Sequence, residues 1–514
     1  MSNPSRSSTA CVEGGVLRAS VVLAIGLILG ACTRPPGPAL RFALPTAPAT
    51  LDPRQATDAQ AARLCRLLYA QLVDFDANFR PQPALAKGWQ ALSPRHYRVS
   101  LKENLHFHDG SALTAADVAA TYESVLDPAR ASPQRGPLAH IESIVVTDVH
   151  TLDFYLRRDD PLFPGLLTLG ILRAAEVDKG PRDPGFTGSG AFRLRSAPTP
   201  REVRMTRVAD ELGIDFVVIP DETTRALMLA RGELDLAQGS MTPEISAWLA
   251  TQPGLEVRQY PGTVYTYLGF NLAEGPTRDR RVRLAIAHAI DRAAIVRHAF
   301  RGQARLAPGV LVPEHWAGAQ VDQGPAHDPA RARALLKKLN YDLEHPLRLQ
   351  YKTSSDPFRR RLANLLQFQL GEVGIALEIQ SHDWGTFFGD IRAGNFELYS
   401  LSWVGLQLPD IYRQAFHSES VPPVGANRGR YASPRVDALI AEAERAVNEE
   451  AGAESFRRIA AEIAHDLPYV SLWHEHGIVI TGPRARGYAT DLHGQYDQLA
   501  RFKPQEPPRN VAQH

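Results

Sequence analysis

Apolar positions recur along the chain with two alternating periods, and helices and strands are predicted in turn. Leu64, Leu67, Leu68 and Leu72 stand at i, i+3, i+4 and i+8, the spacing of one buried helical stripe, and Thr57-Asp58 opens that helix. His96-Tyr97-Arg98-Val99-Ser100-Leu101 alternates like a half-buried strand. Leu105-His106-Phe107-His108 then runs into the turn dipeptide Asp109-Gly110, which predicts a hairpin. Thr114-Ala115-Ala116-Asp117 reads as a capping box, with Val118, Tyr122, Val125 and Leu126 on the buried face of its helix. Asp279 precedes a helix through Val282, Ala285, Ile286, Ala289 and Ile290, and Asp291 caps another bearing Ile295 and Val296. Pro329 starts a stripe of Ala332, Leu335, Leu336 and Leu339. A further stripe, Leu362, Leu365, Leu366 and Leu370, closes near Gly374 before an alternating strand over 375–379. Val436, Leu439, Ile440 and Ala443 are followed by Phe456, Ile459, Ala460 and Ile463. These stripes face a core and carry no chemistry. Strands and helices in alternation predict α/β layers, and no tandem repeat is present.

The N-terminus breaks this pattern. Arg6 and Arg18 precede an apolar run over 19–31 that ends at Cys32. A bilayer needs about 20 apolar residues, so the run is too short to span one and has the length of a signal-peptide core. Leu29-Gly30-Ala31-Cys32 resembles a bacterial lipobox, which implies that Cys32 is lipidated and becomes the new N-terminus. An uncleaved anchor or an ordinary secretory signal is the alternative. The Pro/Gly-rich stretch over 33–38 reads as a tether. Of the three cysteines, Cys11 would leave with the leader and Cys65 lies in a helical stripe as a buried thiol, so no disulfide framework arises. At 514 residues more than one domain is expected. Lys+Arg of 57 against Asp+Glu of 56 gives no global field toward nucleic acid.

Catalytic patterns do not emerge. Gly188-Ser189-Gly190 has Thr187 before it and Arg193 after it, which defeats both a nucleophile elbow and a dinucleotide loop. His106 and His108 share a strand face, as do His474 and His476. Surface or cross-strand histidines are the simpler reading of both pairs than a metal site. No cofactor is implied.

Several stretches in order resemble the peptide/nickel-type solute-binding proteins of ABC importers, the dipeptide- and oligopeptide-binding family 5. They are Leu51-Asp52-Pro53, the stretch over 68–73, the one over 83–89, and Phe107-His108-Asp109-Gly110 running on to Val118. Gly188-Ser189-Gly190-Ala191-Phe192, Tyr267-Leu268-Gly269-Phe270-Asn271, the stretch over 281–292, Trp403 and the stretch from Arg430 to Asp437 follow. The resemblance implies a two-lobed, periplasmic-binding-protein-like α/β fold (type II, cluster C) with an extra β-rich domain inserted in lobe I. After a leader over 1–31 and a tether over 32–39, domain I would comprise 40–55, 187–267 and 478–508, the inserted domain II 56–186, and domain III 268–477. The two hinge crossings are expected near 267–271 and 474–480. It further implies a non-enzymatic monomer, held outside the cytoplasm by its lipid, that captures a peptide or peptide-like ligand for permease and ATPase subunits. A non-peptide solute such as an opine, a sugar-like solute or a metal chelate is the alternative, as is a receptor or chaperone role.

The family places a tryptophan and, three residues on, an acid that pairs with a peptide's α-amino group. Here the tryptophan is Trp403, but the acid's place holds Leu406. Losing a buried partner of an ammonium costs about 2–5 kcal/mol. Either Asp410 substitutes, or the ligand presents no free amine. Arg413 in the same segment is a further candidate. Arg428, beside Asn427, suits bidentate carboxylate recognition. Tyr265 and Tyr267 are expected to stack on ligand from the hinge side, whereas Trp384 reads as packing.

Overall fold

The computed structural model describes residues 39–179, 186–239, 241–318, 324–446 and 449–505. Cys32, with its leader and nearly all of the tether, lies outside the described residues. No helix among the described residues is long and apolar enough to cross a membrane.

One mixed sheet runs through both lobes. Its strands lie in the order Ile375–His382, Leu347–Ser354, Leu398–Trp403, Glu256–Phe270, Tyr469–Thr481, Leu236–Gln238, Leu40–Leu44, Gly213–Val218, Glu202–Arg207 and Phe192–Leu194. The two long central strands, Glu256–Phe270 and Tyr469–Thr481, pair with lobe I at one end and, at the other, with the strands of the second lobe, here called lobe III. Their ladder shifts register between Tyr260 and Val264. Between these residues, a Cβ added to Gly262 would stand 2.2 Å from the Glu475 carbonyl oxygen, so only glycine fits that approach. The register break thus lies upstream of the 267–271 stretch at which the sequence places the first crossing.

Each lobe has its own core. In lobe III, Val282, Ala285, Ile286, Leu362, Leu366 and Leu370 bury against Leu347, Leu349 and Ile375, as the stripes predict. Opposite them, Phe387, Tyr399, Tyr412, Leu439, Ile440 and Ile459 fill the second face. The inserted domain is built on a four-stranded antiparallel sheet in which Tyr97, Val99 and Leu101 face Leu152, Phe154 and Leu156. Each such side chain contributes about 1.5–3 kcal/mol when fully buried.

Two expectations change. The strand His96–Leu101 pairs with Ala86–Ser93 and Thr151–Leu156, while the stretch around Asp109-Gly110 makes a single bridge, His106 to Ala112. No hairpin joins the two, because the strand just before it, Ala86–Ser93, and the distant strand Thr151–Leu156 satisfy both edges of His96–Leu101. The helix Ala59–Leu68, assigned by sequence to the insertion, packs Leu64, Cys65, Leu67 and Leu68 into the lobe I core beside Leu40, Phe42 and Phe216. The insertion's own core runs from Leu72 to Ile171. Asp58 caps that helix, accepting from the Gln60 and Ala61 amides at 3.0 and 2.8 Å.

The Gly-Ser-Gly stretch clasps the other end of this helix. The Ser189 and Gly190 amides donate to the Leu68 carbonyl at 3.1 and 2.8 Å. His108 Nε2 lies 2.8 Å from the Gly190 carbonyl oxygen, tying the insertion to the same turn.

Candidate ligand-binding cleft

The strand Leu398–Trp403 pairs antiparallel with Glu256–Phe270, setting Trp403 opposite Tyr265. Beyond it the chain turns at Gly405, whose φ of 74° suits glycine. Residues 403–411 then form the lobe III wall of a cavity of about 410 Å³. The helix Ala59–Leu68 supplies Cys65 and Arg66 to the facing wall, joined by Gln71, Gln134, 165–170 and Gln495. The walls approach closely: a Cβ on Gly165 would stand 2.5 Å from Leu408 Cδ2.

Two of the residues singled out from sequence line this cavity, Trp403 and Asp410. The half-buried Asp410 carboxyl is pushed up to about 7 by desolvation in the cavity wall, and the charge of Asp160 adds to the rise. Its Oδ2 accepts from Gln414 Nε2 at 2.8 Å, and no cation pairs with it among the described residues. A desolvated carboxyl of this kind gains strongly from an incoming cation. Leu406 lines the cavity as well and packs against the lobe III core.

Trp403 is backed rather than bare. The Arg428 guanidinium carbon lies 4.7 Å from its ring centroid and 5.5 Å from that of Phe388. Arg428 Nη1 donates to the Tyr267 hydroxyl at 3.1 Å, and no carboxylate pairs with Arg428 among the described residues. Trp403 Nε1 is buried without a hydrogen-bond partner. Arg428 therefore sits behind the aromatic wall of the cavity and is not among the residues that line it.

The other candidates lie elsewhere. Arg413 is committed to Glu444, with Nη2 2.7 Å from Oε2, and does not line the cavity. Asn427 is buried and spends its amide inside its own loop, accepting from the Tyr431 amide at 2.9 Å and donating to the His417 and Tyr431 carbonyls at 3.1 and 2.7 Å. Tyr265 and Tyr267 are fully buried and stack on each other at 5.7 Å. Tyr265 shares a 2.7 Å hydrogen bond with Ser471, and Tyr267 lies 4.0 Å from Tyr469. Strand alternation near a hinge does not reveal which face a tyrosine takes; here the core takes both. Trp384, expected to pack, is largely exposed and stacks on Phe388 at 5.5 Å. His474 is buried, with Nε2 3.3 Å from the Val310 carbonyl oxygen.

Sequence reading missed the glutamines. Gln71, Gln134, Gln407, Gln414 and Gln495 all face the cavity. They come from distant segments at no regular spacing, so only the fold brings them together.

Two lobes joined by crossing strands around a cavity of mixed polar and apolar lining define a binding protein of the solute-capturing class. Residues 80–419 match the model of the bacterial extracellular solute-binding proteins, family 5 middle region, which spans well over half of the chain. The chain belongs to that family, whose members are non-enzymatic substrate-binding components of ABC transporters. The probable di/tripeptide-binding protein 5 of Pseudomonas aeruginosa (strain UCBPP-PA14) is 25% identical over 470 residues, covering 84% of this chain and 89% of its own length. The glutathione-binding protein GsiB of Salmonella typhi is 25% identical over 444 residues, covering 82% and 86%. The ABC transporter substrate-binding protein CtaP of Listeria monocytogenes shares the fold, with a TM-score of 0.81 at 22% identity over 92% of this chain and 100% of its own.

Proposed function

We propose that this protein is a lipoprotein anchored through Cys32 that captures a peptide or peptide-like solute between its lobes and hands it to an ABC permease. Asp410 takes the ligand's ammonium group in place of the acid absent at Leu406, and Trp403 covers the ligand from lobe III. The observation that carries this reading is Asp410 itself, a desolvated carboxyl in the interlobe cavity with no cation of the protein beside it among the described residues. Relatives named for di/tripeptides and for glutathione support the same ligand class. The division into domain I, inserted domain II and domain III belongs to this reading, with closure about the crossing strands.

Isothermal titration of the purified protein against di- and tripeptides, glutathione included, tests it. Micromolar binding corresponds to about −8 kcal/mol. Asp410→Asn is expected to weaken free-amine peptides far more than their N-acetylated forms. Silence toward every peptide, with tight binding of an opine, sugar-like solute or metal chelate, would transfer the assignment to that class. For the anchor, Cys32→Ser is expected to release the protein from the membrane fraction.

A further inference from the structure

Beside the cavity that holds Asp410 lies a second chamber of about 420 Å³, bounded by lobe I and the start of the insertion. The residues common to both walls are Arg66, Gln71, Gln407 and Gln495. They arrive from three separate parts of the chain: the end of the first lobe I helix with the residues just after it, the lobe III loop beyond Trp403, and the C-terminal segment.

The single charge among them is already spent. The Arg66 guanidinium binds Asp497 at 2.5 Å, Asp74 at 2.9 Å and Gln71 Oε1 at 3.0 Å. The amides are not spent. Gln495 Oε1 is buried without a partner, and the Gln407 side chain makes no hydrogen bond to any described residue. Gln71 uses only its oxygen. The junction thus offers neutral donors and acceptors together, which an amide can present in either orientation.

Among the residues common to both walls, a ligand ammonium or carboxylate would give up water and meet only Arg66, whose guanidinium is already paired. An apolar group would cover these half-buried amides and leave Gln495 Oε1 unpaired. A neutral group that both donates and accepts meets neither penalty. We infer that the junction of Gln71, Gln407 and Gln495 is a specificity subsite for a ligand side chain ending in a carboxamide or hydroxyl. This inference rests on the peptide reading above and adds which residue the peptide carries.

The test is a titration series on the native protein. Alanine tripeptides carry glutamine, serine, glutamate, lysine or leucine at each position in turn. At one position, glutamine and serine are expected to bind at least about tenfold more tightly than glutamate, lysine or leucine. Equal affinities at every position, with the parent tripeptide bound, would overturn the subsite alone. If no tripeptide binds, the peptide reading falls and the subsite with it. A Gln407→Leu/Gln495→Leu variant is expected to bring the leucine peptide level with or above the glutamine peptide. Retained preference for glutamine in a folded variant that still binds ligand would also count against the assignment.

Discussion

The Phe79 ring lies nearly parallel to the His315 imidazole, with centroids 5.1 Å apart and planes 21° from parallel. Phe79 follows the strand Val73–Phe75 and His315 the strand Ala304–Leu306, so the stack joins segments far apart in the chain. His493 of lobe I approaches the same ring at 4.5 Å, and the Trp316 amide donates to the Asn78 carbonyl at 3.0 Å. Phe79 is fully buried at a φ of 63°, a conformation that a bulky residue keeps only where its surroundings impose it.

Phe79→Ala is therefore expected to act on closure. Removing a fully buried phenylalanine costs about 3–5 kcal/mol, and here the loss falls on contacts between these segments rather than on any one lobe's core. Small-angle scattering of the liganded variant should give a larger radius of gyration than the parent, and ligand affinity should fall by at least about tenfold. An unchanged radius and affinity would refute a role for this stack in closure.

Gly190 tests the clasp on the first helix. A Cβ there would stand 2.3 Å from the Leu67 carbonyl oxygen and 2.6 Å from the Leu68 carbonyl carbon, both backbone atoms that cannot swing aside. Gly190→Ala is expected to destabilise lobe I by about 1–3 kcal/mol, read as a lower urea midpoint. Gly190 does not line the cavity around Asp410, so the loss is read in stability.

What the sequence makes legible follows from locality. The helical stripes and the caps at Asp58, Asp279 and Asp291 depend on neighbours within a few residues, and each of these helices forms. Trp403 and Asp410 stand out through the family resemblance, and one strand and one turn carry both to the cavity wall. The pairing of His96–Leu101 with Thr151–Leu156 and the lobe to which Ala59–Leu68 belongs depend on partners far along the chain. The same holds for Gln71, Gln407 and Gln495, which share a wall only after three segments meet. Tyr265 and Tyr267 show the limit in reverse: their position near the crossing is visible, but the core takes both rings.

Arg428 holds Trp403 from behind, so its loss should be felt through the indole. A guanidinium over an aromatic face is worth about 0.5–2 kcal/mol. Arg428→Met is expected to weaken binding roughly 3- to 30-fold and to change the tryptophan emission, a change absent in a Trp403→Phe background. Arg428→Lys should restore only part of the affinity, since an ammonium lacks the plane that stacks between Trp403 and Phe388.

Two buried imidazoles set the acid limit of the fold. Burial pushes both His315 and His474 down to about 4. His315 Nδ1 accepts from the Ala317 amide at 3.0 Å, and Nε2 lies 3.1 Å from the Gln407 carbonyl oxygen, so a second ring proton would face an N–H. An unfolded imidazole titrates near 6.5. Between about 4 and 6.5 the unfolded chain binds more protons, so the stability present above 6.5 is lost as pH falls, by at most about 1.4 kcal/mol per unit for each group. Urea midpoints measured across this range should drop toward acid, and His315→Gln should make the drop shallower.

Asp410 runs the opposite way in stability and gives binding its own pH dependence. Its carboxyl is pushed up to about 7 in the folded protein by desolvation in the cavity wall and the nearby Asp160 charge, against about 3.9 in an unfolded chain. Between these values the folded state binds the extra proton, so this group's contribution to stability is greatest in acid and declines as pH rises toward 7. Binding of an ammonium needs the ionised carboxylate. Affinity for a free-amine tripeptide should therefore level off above about pH 7 and fall toward tenfold per unit below it. Titration from about pH 5 to about pH 8 checks this, with the N-acetylated tripeptide and Asp410→Asn as flat references. Were the free-amine peptide equally flat across that range, the ammonium would have to sit somewhere other than Asp410.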